Sequence, residues 1–265
     1  MLEYTFFRNA LIALIILSIG GGLLGSYIVT RRLVSISGGI THACFGGLGL
    51  GHFLGWSPIG MAMIFAIASA LGVQWLGNNG KTREDSAIAV VWAAGMAIGI
   101  TFVFLTPGTV PELNSFLFGN ILMVTRTDIA LFATYTLSLG LYYLLCFRKI
   151  TACAFDSDFM QVAGVRTWLY NGVMMLFVAI GIVLMIRCVG IMLLMSLLTL
   201  PTLTAERFCR SLTSIIPTAI VTSAIGSLGG LFLATVINVP VSALIVAIQV
   251  AIYAIASLVS ARINL

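Results

Sequence analysis

Apolar residues run through this chain in long blocks, broken only by short polar intervals. A helix that spans a bilayer needs about 20 consecutive, mostly apolar residues. On that rule the blocks at roughly 6–29, 35–54, 57–77, 86–105, 129–147, 168–187, 190–206, 213–234 and 240–261 predict nine transmembrane helices, within a range of eight to ten. The stretch 114–125 is apolar but short, and reads as a re-entrant or interfacial segment. No polar stretch is long enough to hold a second domain, so 1–265 reads as one all-α, polytopic transmembrane bundle. The first apolar run is too long and too glycine-laced for a signal-peptide core, and no A-x-A-like site follows it. It is expected to be a permanent span.

Composition sharpens this reading. Apolar residues make up 60% of the chain and charged residues only 8%, against about 25% charged in a soluble domain. A normal solvated surface is thereby excluded. Arg31, Arg32, Lys81, Arg83, Arg148, Lys149, Arg166, Arg207, Arg210 and Arg262 fall on one side of the nine-span scheme, and only Arg8, Arg126 and Arg187 on the other. The positive-inside rule then predicts a cytoplasmic C-terminus and an external N-terminus. No basic cluster exceeds two adjacent residues, which argues against nucleic-acid binding. The five cysteines, at 44, 146, 153, 188 and 209, lack CxxC spacing and read as small packing residues.

The scarcity of acids excludes further classes. There are eight, nearly all in predicted loops, and only Glu206 approaches a membrane segment. A hydrolase needs a nucleophile, a base and an orienting group. An ion-driven carrier normally keeps a carboxylate within the membrane. Neither set is present.

Against that background the stretch RRLVSISGGITHAC, 31–44, stands out because it places His42 just inside the second apolar block. Its neighbours one turn away on the same face are Gly38 and Gly46, which predicts open space above and below the ring. A ring so placed is a candidate for a passing cation, or for a plain hydrogen bond to a neighbouring helix. His52 lies ten positions on, about 15 Å along the helix, too far to share an ion with His42 within one chain. It reads as structural or as an entrance residue. Glycines at 20, 21, 22 and 25 of the first block, and at 46, 47, 49, 51 and 55 of the second, predict close helix crossings or a path kept clear of side chains.

Three intervals carry further signals. In FRKITACAFDSDFMQVAGVRTW, 147–168, Asp156 can cap a short helix from Ser157 to about Ala163, Asp158 suits its first turn, and Gly164 supplies the stop. Such a helix is either a docking piece for a soluble partner or a plain surface helix. TPGTVPELNSFLFGN suits a vestibule wall or a receptor contact. SLLTLPTLTAERFCR sets Pro201 inside the seventh span, where a kink is expected, with Thr199, Thr202 and Thr204 able to satisfy freed carbonyls.

These motifs, in this order, resemble the membrane permeases of the bacterial ABC transporters for zinc, manganese and iron, the metal-ABC or ABC-3 family. Members carry Gly-Asp-x-x-Ser-His-Ala after a pair of arginines; here it reads Ser37-Gly38-Gly39-Ile40-Thr41-His42-Ala43. Leu-Phe-Gly-Asn-Ile-Leu recurs at Leu117–Leu122, Phe-Asp followed by Gly at Phe155-Asp156 through Gly164, and Pro-x-x-Thr-Ala-x-Arg at Pro201–Arg207. The resemblance covers almost the whole chain. It implies a homodimer in the lipid bilayer of the bacterial cytoplasmic (inner) membrane, two copies of a soluble ABC ATPase docked on coupling helices near 155–166, and an extracytoplasmic metal-binding protein. The coupling residues would be Asp156, Asp158, Gly164 and Arg166. It also implies no catalysis by the chain itself, no permanently bound cofactor, and a transported divalent metal with His42 as a ligand in the pathway; His52 and Glu206 are minor candidates. The family's aspartate is Gly38 here. Losing that carboxylate leaves zinc or iron ahead of manganese, which favours oxygen donors. Glu206, Cys44 and Met195 are candidates to substitute for it, although Cys44 points to a different face from His42. The alternative within the ABC class is a permease for a larger metal chelate such as haem or a siderophore.

Overall fold

The computed structural model describes residues 3–78, 84–107 and 119–263. Nine α-helices make up these residues, with loops and one 3-10 turn at Ile121–Met123: α1 Thr5–Thr30, α2 Val34–Leu54, α3 Pro58–Asn78, α4 Glu84–Leu105, α5 Arg126–Phe155, α6 Ser157–Val162, α7 Thr167–Glu206, α8 Leu212–Ile237 and α9 Val241–Ile263. Seven of them, all but α2 and α6, are long and apolar enough to cross a membrane. The expected span 35–54 forms α2 but is not among the seven, because glycine, serine, threonine and His42 dilute its hydropathy. A helix enclosed by protein can tolerate that dilution where a lipid-facing one cannot.

The two expected spans 168–187 and 190–206 are the arms of α7, which runs for 40 residues with a single non-helical position, Gly190 (φ 74°, ψ 174°). Glycine alone takes that backbone conformation without a steric penalty. The break thus lies eleven positions before Pro201, which keeps its place inside the helix. Thr199 and Thr204 donate to the carbonyls of Met195 and Leu200, while the Thr202 hydroxyl is buried without a partner. None of the three serves the carbonyl of Leu197, the one that a proline at 201 leaves unbonded. Of the expected re-entrant stretch 114–125, residues 114–118 lie outside the described residues. The remainder forms the 3-10 turn, started by the Asn120 side chain accepting from the Leu122 N–H at 3.1 Å.

The chain packs as two compact units, Met1–Arg32 with Asn114–Cys146 and Leu184–Leu265, and Leu33–Leu113 with Phe147–Val183. Each is built around one glycine-rich helix. In the first unit α1 is central. A methyl on Gly20 would meet Phe132 and Thr136 of α5, one on Gly22 would meet Ile220 of α8, and one on Gly25 would strike the Leu198 carbonyl of α7. The Tyr143 hydroxyl donates to the Leu23 carbonyl at 3.1 Å, tying α5 to the same helix. In the second unit α2 is central, and glycine meets glycine across its contact with α4: Gly46 faces Gly95, and Gly49 faces Gly99. On another side Gly47 lies against the backbone of Met61 and Ala62 in α3. Lipid supplies no hydrophobic drive for helix association, so close van der Waals contact between backbones must do so, and small residues permit it.

The same substitution should therefore act oppositely at two glycines of this unit. Gly47→Ala forces a methyl against backbone that cannot turn aside, at a cost of about 1–3 kcal/mol. Gly72 on α3 has nothing within 4 Å of a new methyl, so Gly72→Ala should gain up to about 1 kcal/mol of helix propensity. Thermal unfolding of the detergent-purified chain should fall by several degrees for the first and hold or rise for the second.

Candidate functional site

His42 lies on α2 in the second unit and is half-buried. Gly46, one turn on, is filled on its side-chain side by the Gly95 carbonyl and the Phe65 ring, which corrects the expectation of a void there. The imidazole instead reaches α4. It stacks on Trp92, with centroids 4.4 Å apart and planes 7° from parallel. Its Nδ1 lies 3.3 Å from the Met96 sulfur.

The local sequence explains how α4 comes so near. Trp92 and Met96 are four residues apart and share one helix face, and Gly95 lies beside that face. A methyl at Gly95 would run into the backbone of Ala43 and the carbonyl of His42. Without it, the two backbones touch, and the side chains on either side of the contact can grip the ring. The Trp92 ring remains 43% exposed, so the cluster borders the unit's surface. Trp92 and Met96 carried no chemical signal in the sequence: a tryptophan and a methionine on an apolar helix look like lipid-facing or packing residues.

Within its own unit no other candidate donor joins His42. Cys44 is fully buried on a different face of α2. His52 is one turn from the end of the same helix, where its carbonyl accepts the Gly55 N–H at 3.2 Å. Glu206 ends α7, exposed, and Met195 lies on the same helix; both belong to the other unit. Among the described residues no group of three or more His, Cys, Asp or Glu side chains is placed to hold a metal ion.

The short helix α6 forms as its sequence dictates. Asp156 is the N-cap, its carboxylate accepting from the Phe159 N–H at 2.8 Å, and Asp158 occupies the first turn. At the other end the Gly164 N–H bonds to the Gln161 carbonyl at 3.1 Å and the Val165 N–H to the Met160 carbonyl at 3.0 Å. That pair of bonds is a Schellman motif, and it needs the left-handed backbone of Gly164, φ 81°. Arg166 follows, exposed. The helix shows an apolar face outward, with Phe159 66% and Val162 89% exposed.

One further polar constellation was not legible in the sequence. Asp128, in the first turn of α5, is 8% exposed. It accepts from the N–H and hydroxyl of Thr125 and pairs with Arg187 of α7 at 2.6 Å. Arg187 lies three residues before the break at Gly190, and the backbone of Gly119 is packed directly against that break. The ion pair and the glycine contact hold the broken part of α7 within the first unit.

Comparison with known proteins places this architecture. The model of the ABC 3 transport family matches residues 3–260. The chain is 33% identical over 255 residues to a Chlamydia trachomatis protein named "Probable metal transport system membrane protein", covering 93% of this chain and 86% of that one. It is 29% identical over 260 residues to the manganese transport system membrane protein MntC of Halalkalibacterium halodurans, covering 97% and 88%. The solved structure of PsaBC from Streptococcus pneumoniae in complex with Fab superposes with a TM-score of 0.83 at 26% identity, covering 96% of this chain and 91% of that one. Matched over nearly its full length, the chain thus belongs to the ABC 3 transport family and, like its relatives, is a multi-pass membrane permease rather than an enzyme.

Proposed function

We propose that the chain is the membrane-spanning subunit of an ATP-driven importer of divalent metal ions in the cytoplasmic membrane, with zinc preferred and iron next. His42 is the ion's protein contact in each of two copies. The reading is carried by the surroundings of that ring: an imidazole beside a thioether, with glycine rather than a carboxylate one turn before it. An imidazole nitrogen with no carboxylate beside it suits zinc and late transition metals, whereas manganese favours oxygen. The names of relatives favour a second reading, manganese, since the Halalkalibacterium protein carries that metal in its name.

On the cytoplasmic side the charge distribution places α6 in water, where a six-residue helix with Phe159 and Val162 outward has reason to be covered. A soluble ABC ATPase, one copy on each α6, is the partner this reading assigns. Asp156, Asp158, Gly164 and Arg166 shape and flank the contact. An extracytoplasmic metal-binding protein delivers the ion to the opposite face.

The decisive experiment is ATP-dependent uptake of zinc, ferrous iron and manganese by vesicles holding the chain, its ATPase and its binding protein. Zinc should accumulate fastest, and His42→Ala should cut uptake at least tenfold at an unchanged membrane level. Faster manganese than zinc uptake would establish the second reading. Failure of all three ions, with the complex assembled and hydrolysing ATP, would point to a larger chelate such as haem or a siderophore. Gly38→Asp, which returns a carboxylate to the His42 face, should raise manganese uptake relative to zinc; an unchanged ratio would show that position 38 does not set selectivity. Gly164→Pro cannot keep φ 81°, and should reduce ATPase co-purification about tenfold while membrane level holds. Intact ATPase binding and stimulation would remove α6 from the coupling role.

A further inference from the structure

We propose that Met96 and Trp92 are positioning residues for His42: together they hold the imidazole in the tautomer protonated at Nδ1, which leaves Nε2 as the one lone pair offered to a passing divalent ion. This rests on the reading of His42 as the ion's contact and adds what sets that contact.

The argument follows from which atoms carry protons. A thioether sulfur has no hydrogen to give and can only accept. At 3.3 Å from the Met96 sulfur, Nδ1 is therefore the donor of that contact. The neutral ring holds one proton, so Nε2 is then bare. Trp92 completes the constraint. A ring 4.4 Å away and 7° from parallel fixes the imidazole plane and covers one face; a tilt of the ring breaks the stack, and a half-turn within the plane takes Nδ1 away from the sulfur. Residues of this kind commonly fix the tautomer and orientation of a metal-binding histidine, usually through a carboxylate or a carbonyl. Here the acceptor is neutral, and with Gly38 one turn earlier no carboxylate on that face of α2 can take its place. The arrangement depends on Gly95, whose missing side chain lets α4 meet the backbone at His42 and Ala43.

The chain has only two histidines, which makes the tautomer directly observable. Histidine labelled with nitrogen-15 should give two ring-nitrogen pairs in the purified full-length chain, and the pair lost in His42→Asn belongs to His42. That pair should show a protonated Nδ1 and a bare Nε2. Met96→Leu keeps the bulk and removes the acceptor, and should give a mixture of tautomers. Met96→Gln offers an amide oxygen in its place and should restore the single form. In reconstituted vesicles Met96→Leu should lower zinc uptake about 10–100-fold, and Met96→Gln should return it to within about twofold of the parent. A His42 spectrum unaffected by Met96→Leu would overturn the positioning role. Uptake lost in both Met96 variants, with the tautomer intact in Met96→Gln, would also overturn it and make the sulfur itself a ligand of the ion. Uptake undiminished by His42→Ala would instead overturn the underlying reading of the site, whatever the tautomer.

Discussion

Close backbone contact at glycine is the constraint on which this molecule depends. A soluble bundle associates because its helices remove apolar surface from water. Between helices in lipid that drive is missing, and what remains is dispersion between atoms packed at contact distance, with polar bonds across the seam. α1 and α2 follow one another in the chain, and each supplies the packed centre of one compact unit. A side chain at Gly25 would strike the Leu198 carbonyl, and one at Gly47 the backbone of α3. The glycines cost helix propensity, about 1 kcal/mol each relative to alanine. They are retained because no larger residue permits the contacts.

The candidate site is a consequence of the same packing. α2 can carry Ser37, Thr41 and His42 within the bilayer because protein covers most of it. Ser37 and Thr41 donate their hydroxyls to the carbonyls of Val34 and Ser37. The ring is then gripped from α4, whose approach is licensed by Gly95. A transported ion must be held weakly enough to leave again. On the proposed reading, an imidazole oriented by a neutral thioether and an indole would add no fixed charge to the ion's path.

Elsewhere the fold spends its few charges on geometry. Asp128 organises the start of α5 through Thr125 and pairs with Arg187 near the break in α7. Removing Arg187 would leave the buried Asp128 carboxylate without its counter-charge, whereas Arg187, with its side chain 40% exposed, can reach solvent. Arg207 at the end of α7 donates to the Tyr253 hydroxyl of α9 at 2.6 Å and lies over that tyrosine's ring. Ser260 of α9 donates to the Arg207 carbonyl. A basic residue at a membrane boundary thereby fastens two helix ends in the first unit.

By itself the sequence determined everything that rests on length, composition and local hydrogen bonding. Unbroken apolar blocks of about 20 residues can only be helices in a bilayer, because each backbone group must find its partner within its own segment. Asp156 and Gly164 bracket α6 through bonds that reach three to five residues, so that helix was legible to within a residue of its ends. His42 stood out because a histidine in an apolar block is costly. What only the tertiary structure decided is what each side chain faces. Lipid is as apolar as a protein core, so a membrane helix carries little amphipathic signal to separate its inner face from its outer one. Trp92 and Met96 therefore could not be matched to His42 from their types, nor Asp128 to Arg187. The break in α7 falls at Gly190 rather than Pro201 for a related reason. A proline removes one helix hydrogen bond while keeping a helical φ, whereas a glycine wedged against Gly119 in the folded chain can take a backbone conformation that ends the helix.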